Sequence, residues 1–182
     1  MKLHARLFSL VAMAAVLPIA FAQMSHTHHG NKPPLSPAAS AEVHLTAGDV
    51  HISYNSPRMR GRKIFGGLVP YGKVWRTGAN PATTLKTAAN LTIGGANVPA
   101  GTYTLYTLPS EGTWKLIVNK QTGQWGTVYH QAQDLTRVDM HKKMLPSPQQ
   151  NMSISFEDTH GNHTQLHVRW AKTDVWVPVV AQ

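Results

Sequence analysis

The run Asn151-Met152-Ser153-Ile154-Ser155-Phe156-Glu157-Asp158-Thr159-His160-Gly161-Asn162-His163-Thr164-Gln165-Leu166-His167-Val168-Arg169-Trp170 decides the fold. Met152, Ile154 and Phe156 fall on one face of an extended chain, and Leu166, Val168 and Trp170 fall on one face of the next. Apolar residues that recur every second position mark half-buried antiparallel strands, because successive side chains of a strand point to opposite faces. Between the two runs, residues 158–162 supply the Asp, Gly and Asn that a turn needs, so the pair is a hairpin.

The same period-two pattern extends outward from this hairpin. Val50, Ile52 and Tyr54 align upstream, as do Trp114, Leu116 and Val118 within residues 113–119. Gly94-Gly95 marks a tight hairpin over residues 93–98, and Pro109-Ser110-Glu111-Gly112 a second one with a four-residue loop. Pro178, inside the apolar run 175–180, predicts an edge strand, since proline cannot donate to a ladder. No stretch of twelve residues keeps a helical apolar stripe, so helix content is predicted to be low. Eight or nine short strands in about 140 residues predict an all-β fold, an antiparallel β-sandwich or jelly roll. Trp114, Leu116, Val118, Ile154, Phe156, Leu166 and Val168 are its predicted inward residues.

The chain of 182 residues is 42% hydrophobic and only 14% charged, with no Cys. That length suits one domain. Without Cys there is no disulfide framework, no thiol nucleophile and no Cys-based zinc site. Residues 1–22 read as a signal peptide: Lys2 and Arg6, then an apolar run, then Ala20-Phe21-Ala22 as the small-x-small cleavage pattern. The apolar run is short for a membrane span and has no stop-transfer flank. The mature protein is therefore expected to be exported, periplasmic or secreted, with residues 23–41 as a flexible linker and 42–182 as the β-domain.

The formal net charge of +9 falls to +7 on loss of Lys2 and Arg6. The excess is local. Arg58, Arg60, Arg62, Lys63, Lys73 and Arg76 put six positive charges into nineteen residues that contain no Asp or Glu. In an exported protein this favours an anionic or carbohydrate ligand over nucleic acid. Tyr71, Trp75 and Trp125 are candidate platforms for sugar rings, and Thr77 and Asn80 candidate donors beside Arg76. Arginine forks suit carboxylate, sulfate or phosphate, and Trp stacks on sugars or on Arg itself. Against this stands a structural reading, in which Trp75 and Trp125 are core and Arg76 anchors a turn.

No Gly-x-Ser-x-Gly elbow, His-Glu-x-x-His helix or Walker loop is present. A second functional class is a hydrolase that pairs Asp134 or Asp139 with a His such as His130 or His141. The ten His beyond residue 22 invite a metal reading, but His163 and His167 lie ~13 Å apart along a strand and read as exposed strand residues. His26, His28 and His29, near Met24, are weak copper or zinc ligands in the linker. No cofactor is expected.

The densest segment is Ser56-Pro57-Arg58-Met59-Arg60-Gly61-Arg62-Lys63-Ile64-Phe65-Gly66-Gly67-Leu68-Val69-Pro70-Tyr71-Gly72-Lys73-Val74-Trp75-Arg76-Thr77-Gly78-Ala79-Asn80. With Val98-Pro99-Ala100-Gly101-Thr102-Tyr103-Thr104-Leu105-Tyr106, residues 119–126 and residues 134–138, it resembles the bacterial family called domain of unknown function 2911. The resemblance implies an exported, mostly β protein and brings no catalytic residues with it. Some members of that family carry the label asparagine synthetase. The residues here exclude that chemistry, because the chain has neither an amino-terminal Cys nor a Ser-Gly-Gly-x-Asp phosphate loop.

Overall fold

A computed structural model describes residues 34–182. Among these residues nine strands follow one another: β1 (Ala38–Leu45), β2 (Gly48–Asn55), β3 (Thr83–Thr87), β4 (Leu91–Ile93), β5 (Ala96–Val98), β6 (Gly101–Leu108), β7 (Trp114–Asn119), β8 (Asp134–His160) and β9 (His163–Ala181). The only helical element among the described residues is one 3₁₀ turn at Gln131–Gln133. Every strand pairing is antiparallel, and the order across the sheet is β1-β2-β3-β6-β7-β8-β9-β4-β5.

The all-β reading therefore holds, and the strands form one continuous sheet rather than two separate ones. The reason is the length of β8. It pairs with β7 through residues 134–140 and with β9 from His141 onward. Register shifts after Met144, Gln149 and Glu157 bend it, as bulges do by adding an unmatched residue to one strand. The sheet then folds over itself. Ser56 Oγ donates to the Met152 carbonyl at 2.6 Å, Ile154 N donates to Tyr54 Oη at 3.1 Å, and Arg58 bridges to Asn151.

The enclosed core follows the alternation. Trp114, Leu116, Val118, Ile154, Leu166 and Val168 are buried in one cluster with Val50, Ile52 and Trp170, and Phe156 packs half-buried against it. At ~25 cal/mol per Å² of apolar area, each such side chain contributes ~1.5–3 kcal/mol. The hairpins also fall where the sequence put them. Gly94 and Gly95 take φ of 54° and 87° between the paired Ile93 and Ala96, angles a two-residue turn of this hand demands and glycine adopts freely.

Two expectations are corrected. The first strand begins at Ala38, so the last four residues of the expected linker are strand, with Ala39 and Ala41 half-buried against the core. Alanine is too small to have announced an inward face there. The strand holding Pro178 is not an edge, because β9 lies between β8 and β4. Pro178 is tolerated where β9 changes neighbours: pairing with β8 ends at Trp176 and pairing with β4 runs from Val179. Its carbonyl still accepts from Gly94 N at 2.9 Å. The signal-peptide reading of residues 1–22, the rest of the linker before residue 34, and His26, His28 and His29 lie outside the described residues. No helix among the described residues is long and apolar enough to cross a membrane.

Candidate functional site

Between β2 and β3 the chain leaves the sheet over residues 56–82 and is held by isolated bridges, Phe65 to Val69, Trp75 to Thr107 and Pro81 to Trp125. Apolar anchors fix it: Ile64, Val69, Trp75, Ala79 and Ala82 are buried. Phe65 meets Trp75, Trp114 and Trp170 edge to face at centroid distances of 5.9, 4.6 and 6.1 Å, and Trp75 stacks on Trp170 at 5.8 Å. Such pairs add ~0.5–1.5 kcal/mol each beyond their buried area. An irregular segment of this composition is thus as firmly placed as a strand.

Firm placement leaves a half-open hollow of about 310 Å³ against the segment, with Leu35, Pro57, Leu68 and Trp170 in its lining. Arg60, Arg62 and Arg76 converge on it, and its lining contains no Asp or Glu. Two of the arginines are positioned by backbone. Arg60 Nη2 donates to the Leu35 carbonyl at 2.7 Å. Arg62 donates through Nε to Met59 O at 3.0 Å and through Nη2 to Arg58 O at 2.7 Å. Arg76 differs: its Nε is buried with no hydrogen-bond partner, and burial pulls its pKa below the ordinary guanidinium value. None of the three is ion-paired among the described residues.

Gly126 makes room for the Arg76 stem. A Cβ there would collide with Arg76 Cδ and lie 2.6 Å from the Asn80 carbonyl oxygen, which already accepts from Gly126 N at 3.1 Å. Any side chain would drive the guanidinium out of place.

Of the eleven residues proposed from sequence, Arg60, Arg62, Trp75, Arg76 and Asn80 line this cavity. Trp75 does so from the core, 8% exposed, with Nε1 donating to Gly78 O at 3.1 Å, so it is a wall and not an open platform. Thr77 is fully buried and bonds Thr107 Oγ1 at 3.2 Å, a structural role. Lys63 and Tyr71 line a neighbouring depression with Arg62, Phe65 and Lys172. Arg58 and Lys73 are solvent-exposed, outside both. Trp125 is 55% exposed beside the site without lining it.

The hydrolase residues are placed elsewhere. Asp134 is saturated: it accepts from Asn119 Nδ2 at 2.8 Å, Tyr129 Oη at 2.7 Å and Arg137 Nε at 2.7 Å. Burial, then the hydrogen bond to Asp134, raises the Tyr129 phenol to about 12, so Tyr129 stays protonated. Asp139 pairs with Lys115 at 2.6 Å at an open groove shared with Glu111, His141 and Lys143. The His141 ring stacks on Trp176 at 5.3 Å. His130 is exposed, and its carbonyl accepts from Asn119 Nδ2 at 3.0 Å.

One cluster escaped the sequence. His167, expected to be exposed, is 3% exposed, with Nδ1 2.8 Å from Asp174 Oδ1 and its ring stacked on Trp176 at 5.5 Å. Asp174 is completely buried and also accepts from Arg169 Nε at 2.9 Å. Both Arg169 Nη atoms reach Glu157, Nη1 to Oε1 and Nη2 to Oε2 at 2.7 Å. These bonds hold the Glu157 carboxyl at about 2 and raise the Arg169 guanidinium. The polar alternation of β9 was the available signal, but the partners depend on where β8 bulges. The cluster braces the outer face of the β8–β9 pair.

Residues 36–179 match the model of a family described as a protein of unknown function, DUF2911. No curated protein and no solved structure matches the chain. With most of its length inside that match, and with the arginine cavity built from the family-like segment, the chain belongs to the DUF2911 family.

Proposed function

We propose that this is an exported, non-catalytic binding module that takes a small anionic ligand, a carboxylate, sulfate or phosphate group, free or carried on a sugar or envelope glycan. The observation that carries the reading is the convergence of Arg60, Arg62 and Arg76 on one recessed cavity without a carboxylate, where Arg76 Nε is buried and unpartnered. A buried donor left unmade costs ~1–3 kcal/mol, and three cations in one hollow repel one another. An anion held among the three guanidinium groups relieves that repulsion. A site of about 310 Å³ suits a sugar acid or phosphate ester, not a nucleic-acid strand.

The same lining disfavours hydrolysis at this site, since it offers neither a carboxylate nor a His to act as base. The alternative, hydrolysis at the groove holding Asp139 and His141, has the two on the same face of β8 in its favour, although Lys115 already holds the carboxylate.

The test is a thermal-shift series with sulfate, phosphate and sugar acids on the wild type, Arg76→Ala and Arg58→Ala. Stabilisation reaches ~2.7 kcal/mol at a hundred times Kd and weakens as NaCl approaches ~0.5 M, more for the exposed Arg60 and Arg62 than for Arg76. Arg76→Ala abolishes it and Arg58→Ala leaves it. Equal, negligible responses in all three proteins would mean that the cluster is only a solvated loop.

A further inference from the structure

The β1–β2 hairpin carries a second group of chemistry-bearing residues, unrelated to the arginine cavity. Its register sets Glu42 opposite His51 and His44 opposite Asp49. Directly opposed residues share a face, so all four stand on the outer side while Val43, Leu45, Val50 and Ile52 fill the core beneath them. Ligand atoms of Glu42, His44 and Asp49 lie within 4.8 Å of one another. His44 Nδ1 and Asp49 Oδ1 are 2.8 Å apart.

We propose that Glu42, His44 and Asp49 form a divalent transition-metal site, of the zinc class, on this hairpin. The His44–Asp49 separation is a hydrogen bond in the metal-free protein, and opening it to ~3.4 Å sets the two atoms at neighbouring corners of a tetrahedral zinc ion with ligands at ~2.1 Å, water taking the corner left over. Glu42 is two residues from His44 on the same strand face and closes the triangle. One imidazole with two carboxylates suits zinc, nickel or manganese, and the imidazole separates these from calcium and magnesium, which prefer all-oxygen sites. His51 extends the same face behind Glu42, and Lys86, opposite His51 on β3, stands one strand further away. The ligands are exposed, so the affinity is micromolar rather than structural, and the fold does not depend on the ion.

The experiment uses the full chain with H26Q, H28Q and H29Q together, which removes imidazoles that would compete. Zinc chloride is titrated by calorimetry, and the histidine ring resonances are followed by NMR. The expected result is one saturable zinc equivalent with selective shifts of the His44 ring. Adding H44Q weakens binding about tenfold or more, on the scale of losing a ligand or its support, with an unchanged circular-dichroism spectrum. Equal zinc affinity with and without H44Q, no saturable uptake at millimolar zinc, or calcium binding as tightly as zinc would each overturn the site. Because Arg76→Ala leaves these residues untouched, failure here and failure of the anion reading are separate results.

Discussion

Replacing Arg169 with Met tests what the Glu157–Arg169–Asp174–His167 cluster contributes. The substitution keeps much of the stem and removes the guanidinium that bonds Asp174 at 2.9 Å and Glu157 at 2.7 Å. Asp174 has no solvent exposure, so a lost partner is not replaced by water. Breaking a buried pair from one side costs ~3–5 kcal/mol. His167 at 2.8 Å and Lys143 at 3.5 Å remain beside Asp174, which places the loss near the lower end, ~3 kcal/mol. For a domain of this size that lowers Tm by ~6–12 °C.

Urea denaturation between pH 7 and pH 2 carries a second, independent reading. Glu157 ionises near 2 when folded and near 4.5 when free. Its folded value is depressed, so its stabilisation is complete above pH 4.5 and is lost as pH falls from 4.5 towards 2. A shift of that size corresponds to at most ~3.4 kcal/mol. About a third of the side chain is exposed, so solvent screening reduces this to ~1–2 kcal/mol. Arg169→Met returns Glu157 towards its ordinary value, and the mutant loses less stability across that window than the wild type. A total loss under ~1 kcal/mol at pH 7, or parallel acid profiles for the two proteins, would refute the account of the cluster as a brace.

Three further outcomes are expected. Gly126→Ala displaces Arg76 and removes the anion-dependent rise in Tm while leaving the β spectrum intact; retention of that rise would detach Gly126 from the site. Leu116→Ala, a truncation at a position with no exposure, costs ~2–5 kcal/mol in urea denaturation, and a cost under ~1 kcal/mol would contradict its central packing. Mass spectrometry of protein from the native host finds an amino terminus at or near Gln23; an intact Met1 in cytoplasmic protein would end the export reading.

Strand identity was legible because burial follows a period of two wherever hydrogen bonding is regular, as in Val50, Ile52 and Tyr54 or Leu166, Val168 and Trp170. The continuity of the sheet was not, because nothing in the composition of residues 134–160 says that one strand serves two neighbours in turn. Pro178 misled for the same reason: a proline between two pairing regions looks like a proline at an edge. The arginine cluster was visible as a charge run, yet only packing separates Arg76, wedged against Gly126, from the exposed Arg58. His167 was misread because its burial depends on Trp176 and Asp174, brought beside it by a bend near Ala171, whose φ is 52°. The Glu42–His44–Asp49 triangle needs the β1–β2 register, and half of β1 looked like linker.

The pairing of β4 with β9 also bears on when the fold can form. Leu91 is matched with Ala181 and Ile93 with Val179, and Asn90 O accepts from Gln182 N at 2.8 Å. β4 thus waits for residues 179–181 to be synthesised. Contacts of such long sequence separation make folding slow, on the scale of milliseconds to seconds. The sheet is completed only once residues 179–181 have left the ribosome.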